Sequence, residues 1–130
     1  MWCTTLIVSI VVLAATLAPA HAAPVLTPLV VDGDRYFTVD WQAADTAGRP
    51  KVQGFIRNEF GFAARRIRLL VDSLDANGAV TAQTLVYVPF DLTPGSRSYF
   101  EASVPSRAAG YRVTVFQWEW IQGNGGDTVR

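Results

Sequence analysis

Four arginines lie close together in the stretch "RNEFGFAARRIR", at positions 57, 65, 66 and 68. A guanidinium group presents a planar fork of N–H donors that suits carboxylates and phosphates. Arg57, Arg65, Arg66 and Arg68 therefore form a candidate surface for an acidic partner. The favoured interpretation is a solvated sheet face with charges that protect its edge, because basic and acidic residues balance at 11 each. This balance gives no reason to expect nucleic-acid binding.

Aromatic side chains near the C-terminus offer a second chemistry. Trp118 and Trp120, together with Tyr99, are a candidate aromatic platform on which sugar rings would stack. In "YRVTVFQWEW" the apolar residues change faces between Val115 and Phe116. A β-bulge at that point would turn all of them inward. The core is the favoured location, since large aromatic residues supply much of the buried area of a small domain.

Histidine and cysteine, which commonly serve as catalytic residues and metal ligands, are scarce. The chain has one histidine, His21, and one cysteine, Cys3, and both lie in a segment expected to be removed. Triads that need His or Cys, and the usual zinc or copper ligand sets, are not predicted for the remainder. A hydrolase that uses carboxylates alone stays open as a second alternative, although most acidic residues fall in turns or on outward strand faces. We predict no catalytic, cofactor-binding or metal-binding residue and no enzyme activity.

The N-terminus resembles a secretory leader. Residues 6–17 are almost wholly apolar and are followed by Pro19 and by the small-x-small sequence Ala20-His21-Ala22. This layout predicts a signal peptide over residues 1–22 and an exported bacterial protein, periplasmic or secreted. An uncleaved anchor is the alternative, because the first five residues carry no Lys or Arg. The apolar run is shorter than the roughly 20 residues that span a bilayer, so stable membrane insertion after cleavage is not expected.

The elements that must position these side chains are strands. Six segments alternate apolar and polar residues: "YFTVDWQA", "KVQGFIRN", "RRIRLLVDSL", "VTAQTLVYV", "SYFEASV" and "YRVTVFQWEW". We expect a turn or loop over 44–50, a hairpin connection over 58–62 and a tight hairpin turn over 75–78, where Asn77-Gly78 accepts positive φ. The pattern predicts an all-β fold, a single immunoglobulin-like antiparallel β-sandwich, with a small barrel as the alternative.

Domain boundaries follow from the same pattern. We expect a linker or edge segment over 23–35, the β-sandwich over 36–121 and a flexible C-terminal tail over 122–130. The tail "QGNGGDTVR" is rich in glycine and contains no apolar alternation.

Four stretches in the middle of the chain carry a further similarity: Gly54 to Asn58 in an opening strand, the turn Leu74 to Gly78, the turn Leu92 to Gly95, and Tyr99 to Glu101. Together they resemble the FxLYD-type family of exported bacterial β-sandwich domains. The resemblance covers about half of the chain after the leader. It implies a non-enzymatic immunoglobulin-like domain with no catalytic residues and no cofactor.

These observations lead to one functional expectation and two alternatives. We expect an exported, non-catalytic β-sandwich that mediates a protein–protein interaction or envelope assembly with an unknown protein partner. The first alternative is a carbohydrate-binding module that uses exposed Trp and Tyr residues. The second is the carboxylate-dependent hydrolase.

Overall fold

The computed structural model describes residues 25–122. The predicted signal peptide and positions 123–130 of the predicted tail lie outside these residues. The described chain forms one helical turn, α1 (Gly33–Tyr36), and six strands. The strands are β1 (Phe37–Thr46), β2 (Arg49–Asn58), β3 (Ala63–Leu74), β4 (Val80–Tyr87), β5 (Arg97–Ser103) and β6 (Gly110–Ile121).

The strands form two antiparallel sheets, as the alternation predicts. The first sheet has the order β1-β2-β5 and the second has the order β4-β3-β6. All six strands contribute to one buried cluster between the sheets, which includes Phe37, Ile56, Leu69, Val86, Phe100 and Val115. The prediction of an all-β sandwich is confirmed. Within the described residues, no helix has the length and apolar character to cross a membrane.

Two of the connections are tight hairpin turns. The turn or loop expected over 44–50 is a two-residue turn, since β1 continues to Thr46 and β2 begins at Arg49. Ala47 and Gly48 both have positive φ, at 52° and 76°, which is the backbone conformation of a type I′ turn. The turn after β3 agrees with the prediction, since β3 and β4 pair directly and Gly78 has a φ of 80°.

The connection over 58–62 is not a hairpin, because β2 and β3 belong to different sheets. It is the corner at which the chain passes from the first sheet to the second. The fully buried Asn58 side chain holds this corner together. Its Nδ2 donates to the carbonyl oxygens of Phe62 at 2.8 Å and Leu92 at 3.0 Å, and its Oδ1 accepts from the Phe60 amide at 2.9 Å.

The predicted bulge in β6 is confirmed. Leu69 of β3 pairs with Val115, whereas the preceding Arg68 pairs with Gln117, so Phe116 is the extra residue. Val115 belongs to the buried cluster between the sheets, whereas Phe116 is buried outside that cluster, so the bulge does not turn Phe116 into the core. The bulge compensates for the change of faces in the sequence and brings Trp118 to the side of the strand that packs on the core.

The segment 25–31 crosses the outer face of the second sheet. The backbone of Leu26 exchanges two hydrogen bonds with the side chain of Gln83 on β4. At the opposite edge, the Leu29 amide donates to the carbonyl oxygen of Phe116 on β6 at 2.9 Å. The segment expected to be a linker or edge segment is therefore attached to both edge strands of this sheet.

This covering segment explains two buried residues on an outward face. Leu70 and Asp72 alternate with core residues of β3, and they are nevertheless 1% and 2% exposed. The Asp72 carboxylate accepts hydrogen bonds from Gln83 at 2.8 Å and from the Arg112 guanidinium at 2.6 and 3.0 Å. The charge of this buried acid is thus balanced within the second sheet.

Candidate functional site

The structure divides the arginine group between the two sheets. Arg65 and Arg66 of β3 both contact the Glu119 carboxylate, at 3.2 and 3.1 Å. These contacts hold the pKa of Glu119 below its ordinary value of 4.5, and the hydrogen bond from Arg66 makes the largest contribution. Arg68 lies over the ring of Tyr87, with its guanidinium carbon 4.5 Å from the ring centroid. These arginines therefore have partners within the second sheet.

Arg57 lies on the first sheet, away from the other three. Its cross-strand neighbour on β5 is Arg97, a residue that was not among the predicted site residues. The Arg57 guanidinium donates to the Gly95 carbonyl at 3.2 Å and lies 3.7 Å from the Glu59 carboxylate. The four arginines do not form one surface, and the predicted partner surface is not assembled as a unit.

The aromatic platform is not assembled either. Trp118 and Trp120 pack against the core, where Phe37 lies 5.2 Å from Trp118 and stacks on Trp120 at 5.6 Å between ring centroids. Tyr99 belongs to β5 of the other sheet and is 45% exposed. The favoured interpretation of the two tryptophans as core residues agrees with this arrangement.

Tyr99 instead belongs to a depression on the first sheet, which we call the first-sheet depression. Its volume is about 400 Å³, and its lining combines aromatic rings with amide and carboxylate side chains. The lining residues are Asp40, Trp41, Gln42, Gln53, Gly54, Phe55 and Tyr99.

Strand register creates this combination. Asp40 of β1, Phe55 of β2 and Tyr99 of β5 are cross-strand neighbours, and so are Gln42, Gln53 and Glu101. Residues that are directly opposite in an antiparallel sheet project from the same face. The sheet therefore presents a row that contains two aromatic rings beside a row of two amides and a carboxylate.

The aromatic rings of the depression are accessible. Phe55 is 39% exposed, and its ring meets that of Tyr99 nearly edge to face, with centroids 5.6 Å apart and an interplanar angle of 69°. The guanidinium carbon of Arg97 lies 4.5 Å from the Phe55 centroid. Trp41 pairs with Gly54 and therefore projects from the opposite face of the sheet, where its ring centroid lies 6.4 Å from that of Tyr111 on β6.

A chain of polar contacts fixes the Tyr99 hydroxyl. It donates to the Glu101 carboxylate at 2.9 Å and lies 3.1 Å from Gln53 Oε1, while Lys51 Nζ lies 3.2 Å from the other Glu101 oxygen. Partial desolvation and the bond to Glu101 raise the pKa of Tyr99 above 10.0. The same hydrogen bond lowers the pKa of Glu101 below 4.5, and the contact with Lys51 lowers it further. The hydroxyl is thus oriented by its contacts with Glu101 and Gln53.

Gly54 allows β1 to approach β2 closely at the base of the depression. A Cβ atom at this position would lie 1.9 Å from the Asp40 carbonyl oxygen and 2.7 Å from the Cα of Trp41. Real Cβ atoms do not occupy such positions, so any side chain here would displace β1 from β2. The glycine therefore maintains the register on which the lining depends.

The lining suits binding through ring contacts and hydrogen bonds. Amide side chains donate and accept, carboxylates accept, and the hydroxyl of Tyr99 does both. Among residues 25–122, no group of three or more His, Cys, Asp or Glu side chains is positioned to hold a metal ion.

Sequence reasoning identified Tyr99 and Arg57 in this region but missed Phe55, Gln53 and Arg97 as possible binding residues. The available signal was that Phe55 falls on the outward face of its strand although it is apolar. Its proximity to Tyr99 depends on the pairing of β2 with β5, which are separated by two strands in the sequence.

Comparisons with known proteins give no further assignment: the chain matches no protein-family model, no curated protein and no solved structure.

Proposed function

We propose that this protein is an exported, non-catalytic β-sandwich that binds carbohydrate in the first-sheet depression. The observation that carries the proposal is the exposed Phe55–Tyr99 pair beside the amides of Gln42 and Gln53. Aromatic rings offer apolar faces to the C–H surface of a sugar, and amides can donate and accept hydrogen bonds with its hydroxyl groups. A few oriented polar groups around an apolar surface are the usual composition of a small-ligand site.

The proposed fold is immunoglobulin-like. In such a domain, strands A, B and E form one sheet, and strands C and F belong to the other. The orders β1-β2-β5 and β4-β3-β6 correspond to A-B-E and C′-C-F when the strands are lettered along the chain. This correspondence, together with the resemblance of Gly54 to Asn58 and of the turns at 74–78 and 92–95, supports an FxLYD-type domain.

Calorimetric titration with a panel of neutral and acidic oligosaccharides tests the function. We expect the wild-type domain to bind at least one of them and the double variant Phe55→Ala/Tyr99→Ala to lose at least about tenfold in affinity. Tyr87→Ala is the matched control, because Tyr87 is an exposed aromatic residue that also lies under an arginine, but on the second sheet. Equal losses in both variants, or no binding by the wild type, would reject the proposal.

A protein-binding role is the second candidate, and the covering segment favours it. Leu29 and Val31 on that segment are 68% and 82% exposed, and Leu85 and Tyr87 are exposed on β4 of the same sheet. Exposed apolar side chains on one face of a sheet favour contact with another protein.

The double variant Leu29→Ser/Val31→Ser tests this role. A partner captured by the wild type and by Phe55→Ala/Tyr99→Ala, but not by the segment variant, would support it. A partner that binds all three proteins alike would not use the covering segment, and the role would be rejected.

A further inference from the structure

We propose that the ligand of the first-sheet depression is an acidic glycan, whose carboxylate binds between Arg57 and Arg97. This inference rests on the proposed carbohydrate-binding function and specifies its ligand class. The first sheet contains an unfavourable feature, because two arginines lie directly opposite each other on β2 and β5.

Like charges at directly opposed positions of an antiparallel pair destabilise the sheet. Neighbouring groups offset the repulsion between Arg57 and Arg97 only in part. Arg57 has Glu59 at 3.7 Å and the Gly95 carbonyl at 3.2 Å. Arg97 has no carboxylate within 4.0 Å among the residues that the structure describes. A bound anion between the two guanidinium groups would offset the repulsion.

The ring of Phe55 orients Arg97 for this role. The guanidinium lies over the aromatic face at 4.5 Å, a contact that restricts the long side chain without using a carboxylate partner. A guanidinium stacked on a ring keeps its N–H donors along its edge, where a carboxylate can accept two parallel hydrogen bonds. Arg97 is exposed, so these donors are accessible to a ligand.

The spacing of the rows relates the anion to the sugar. Arg57 and Arg97 lie two residues from the Phe55–Tyr99 row on one side of it, and Gln53 and Glu101 lie two residues from it on the other. Two residues along a strand correspond to roughly 6 to 7 Å. A sugar ring on the aromatic pair would therefore place a carboxylate substituent within reach of the arginines, whereas on the other side Lys51 already pairs with the Glu101 carboxylate.

Calorimetry with trigalacturonate and with its fully methyl-esterified, neutral form tests the inference. We expect the wild type to bind the acid at least about tenfold more tightly than the ester, with the difference decreasing as salt is added. Arg97→Gln and Arg57→Gln should remove this preference. Arg97→Lys should retain only part of it, because an ammonium group lacks the planar fork of N–H donors. Circular dichroism checks that each variant is folded.

Arg68→Gln is the matched control. Arg68 also lies 4.5 Å from the centroid of an aromatic ring, that of Tyr87, but on the second sheet. The same substitution there removes one charge and one cation–π contact, and the preference for trigalacturonate should be unchanged. A loss of preference equal to that of Arg97→Gln would overturn the inference.

The remaining outcomes distinguish a failure of the acidic-glycan inference from a failure of the proposed carbohydrate-binding function. Equal binding of acid and ester, with both lost in Phe55→Ala/Tyr99→Ala, would overturn the acidic-glycan inference and leave carbohydrate binding intact. Binding of a sulfated galactan trisaccharide in place of trigalacturonate would overturn the assignment of a carboxylate. No binding of any saccharide would reject both proposals.

Discussion

The corner between the two sheets depends on one buried amide, and Asn58→Asp tests that dependence with a change of very few atoms. The Asn58 side chain is fully buried and makes three hydrogen bonds. In the variant, the bond from the Phe60 amide is retained, because a carboxyl oxygen still accepts it. The two bonds that Nδ2 donates, to Phe62 and Leu92, are the ones at risk.

The size of the effect follows from the protonation state. An ionised carboxylate would face two carbonyl oxygens in a buried site, so the introduced carboxyl folds in its neutral form. A carboxyl group with an ordinary pKa near 3.9 costs about 4 kcal/mol to protonate at pH 7. The neutral group donates to one carbonyl and leaves the other unpaired, which costs about 1 to 2 kcal/mol. We therefore expect a loss of about 5 to 6 kcal/mol at pH 7, comparable with the whole stability of many small domains.

The pH dependence identifies the mechanism. The introduced carboxyl has a raised pKa in the folded state, so the folded state binds more protons and the variant becomes less stable as the pH rises. Between about pH 4 and the raised folded pKa, the deficit relative to wild type should grow by about 1.4 kcal/mol per pH unit. Urea denaturation of both proteins at pH 4 and pH 7 measures it, and the difference at each pH cancels changes shared with the wild type.

Asn77→Asp is the control, because Asn77 is exposed in the β3–β4 turn and undergoes the same chemical change. Its stability should stay within about 0.5 kcal/mol of wild type at both pH values. A deficit for Asn58→Asp below about 1 kcal/mol at pH 7, or one that does not shrink at pH 4, would refute the role assigned to the amide.

Three further predictions concern the first-sheet depression and its polar contacts. Gly54→Ala should destabilise the domain by about 3 kcal/mol or more in urea denaturation, because the new Cβ would meet the Asp40 carbonyl oxygen at 1.9 Å. Gly61→Ala, where a Cβ meets nothing within 4 Å, should be nearly neutral, and similar losses in both variants would contradict this explanation. Glu101→Gln should lower the pKa of Tyr99 towards 10.0 in an ultraviolet titration, since Glu101 contributes to the raised value; an unchanged titration would show that desolvation alone is responsible. The lowered pKa of Glu101 adds stability that is present above pH 4.5 and is lost as the pH falls through the lower folded value, and Glu101→Gln should remove this part of the acid dependence.

The sequence was sufficient for the features that depend on local patterns. The alternation of apolar residues predicts all six strands, and the change of faces after Val115 predicts the bulge, because a strand must keep its apolar side chains on one side. The turn chemistry of Asn77-Gly78 predicts the β3–β4 hairpin. The corner at Asn58 differs from the predicted hairpin, because glycine and polar residues occur in both kinds of connection. Whether two strands pair or pass to different sheets depends on tertiary packing that a short window does not contain.

The candidate site shows the same limit more sharply, because its cross-strand pairs join residues that are far apart in sequence. Arg57 meets Arg97, Phe55 meets Tyr99, and Gln53 meets Glu101, each across the β2–β5 pair. A shift of this register by one residue would turn one strand's set of side chains to the opposite face and separate all three pairs. The sequence groups Arg57 with the arginines of β3 because they are close along the chain, whereas the sheet groups it with Arg97. The ligand preference proposed for this protein is thus a property of strand register, and substitutions that alter the register should abolish it without changing any residue that contacts the ligand.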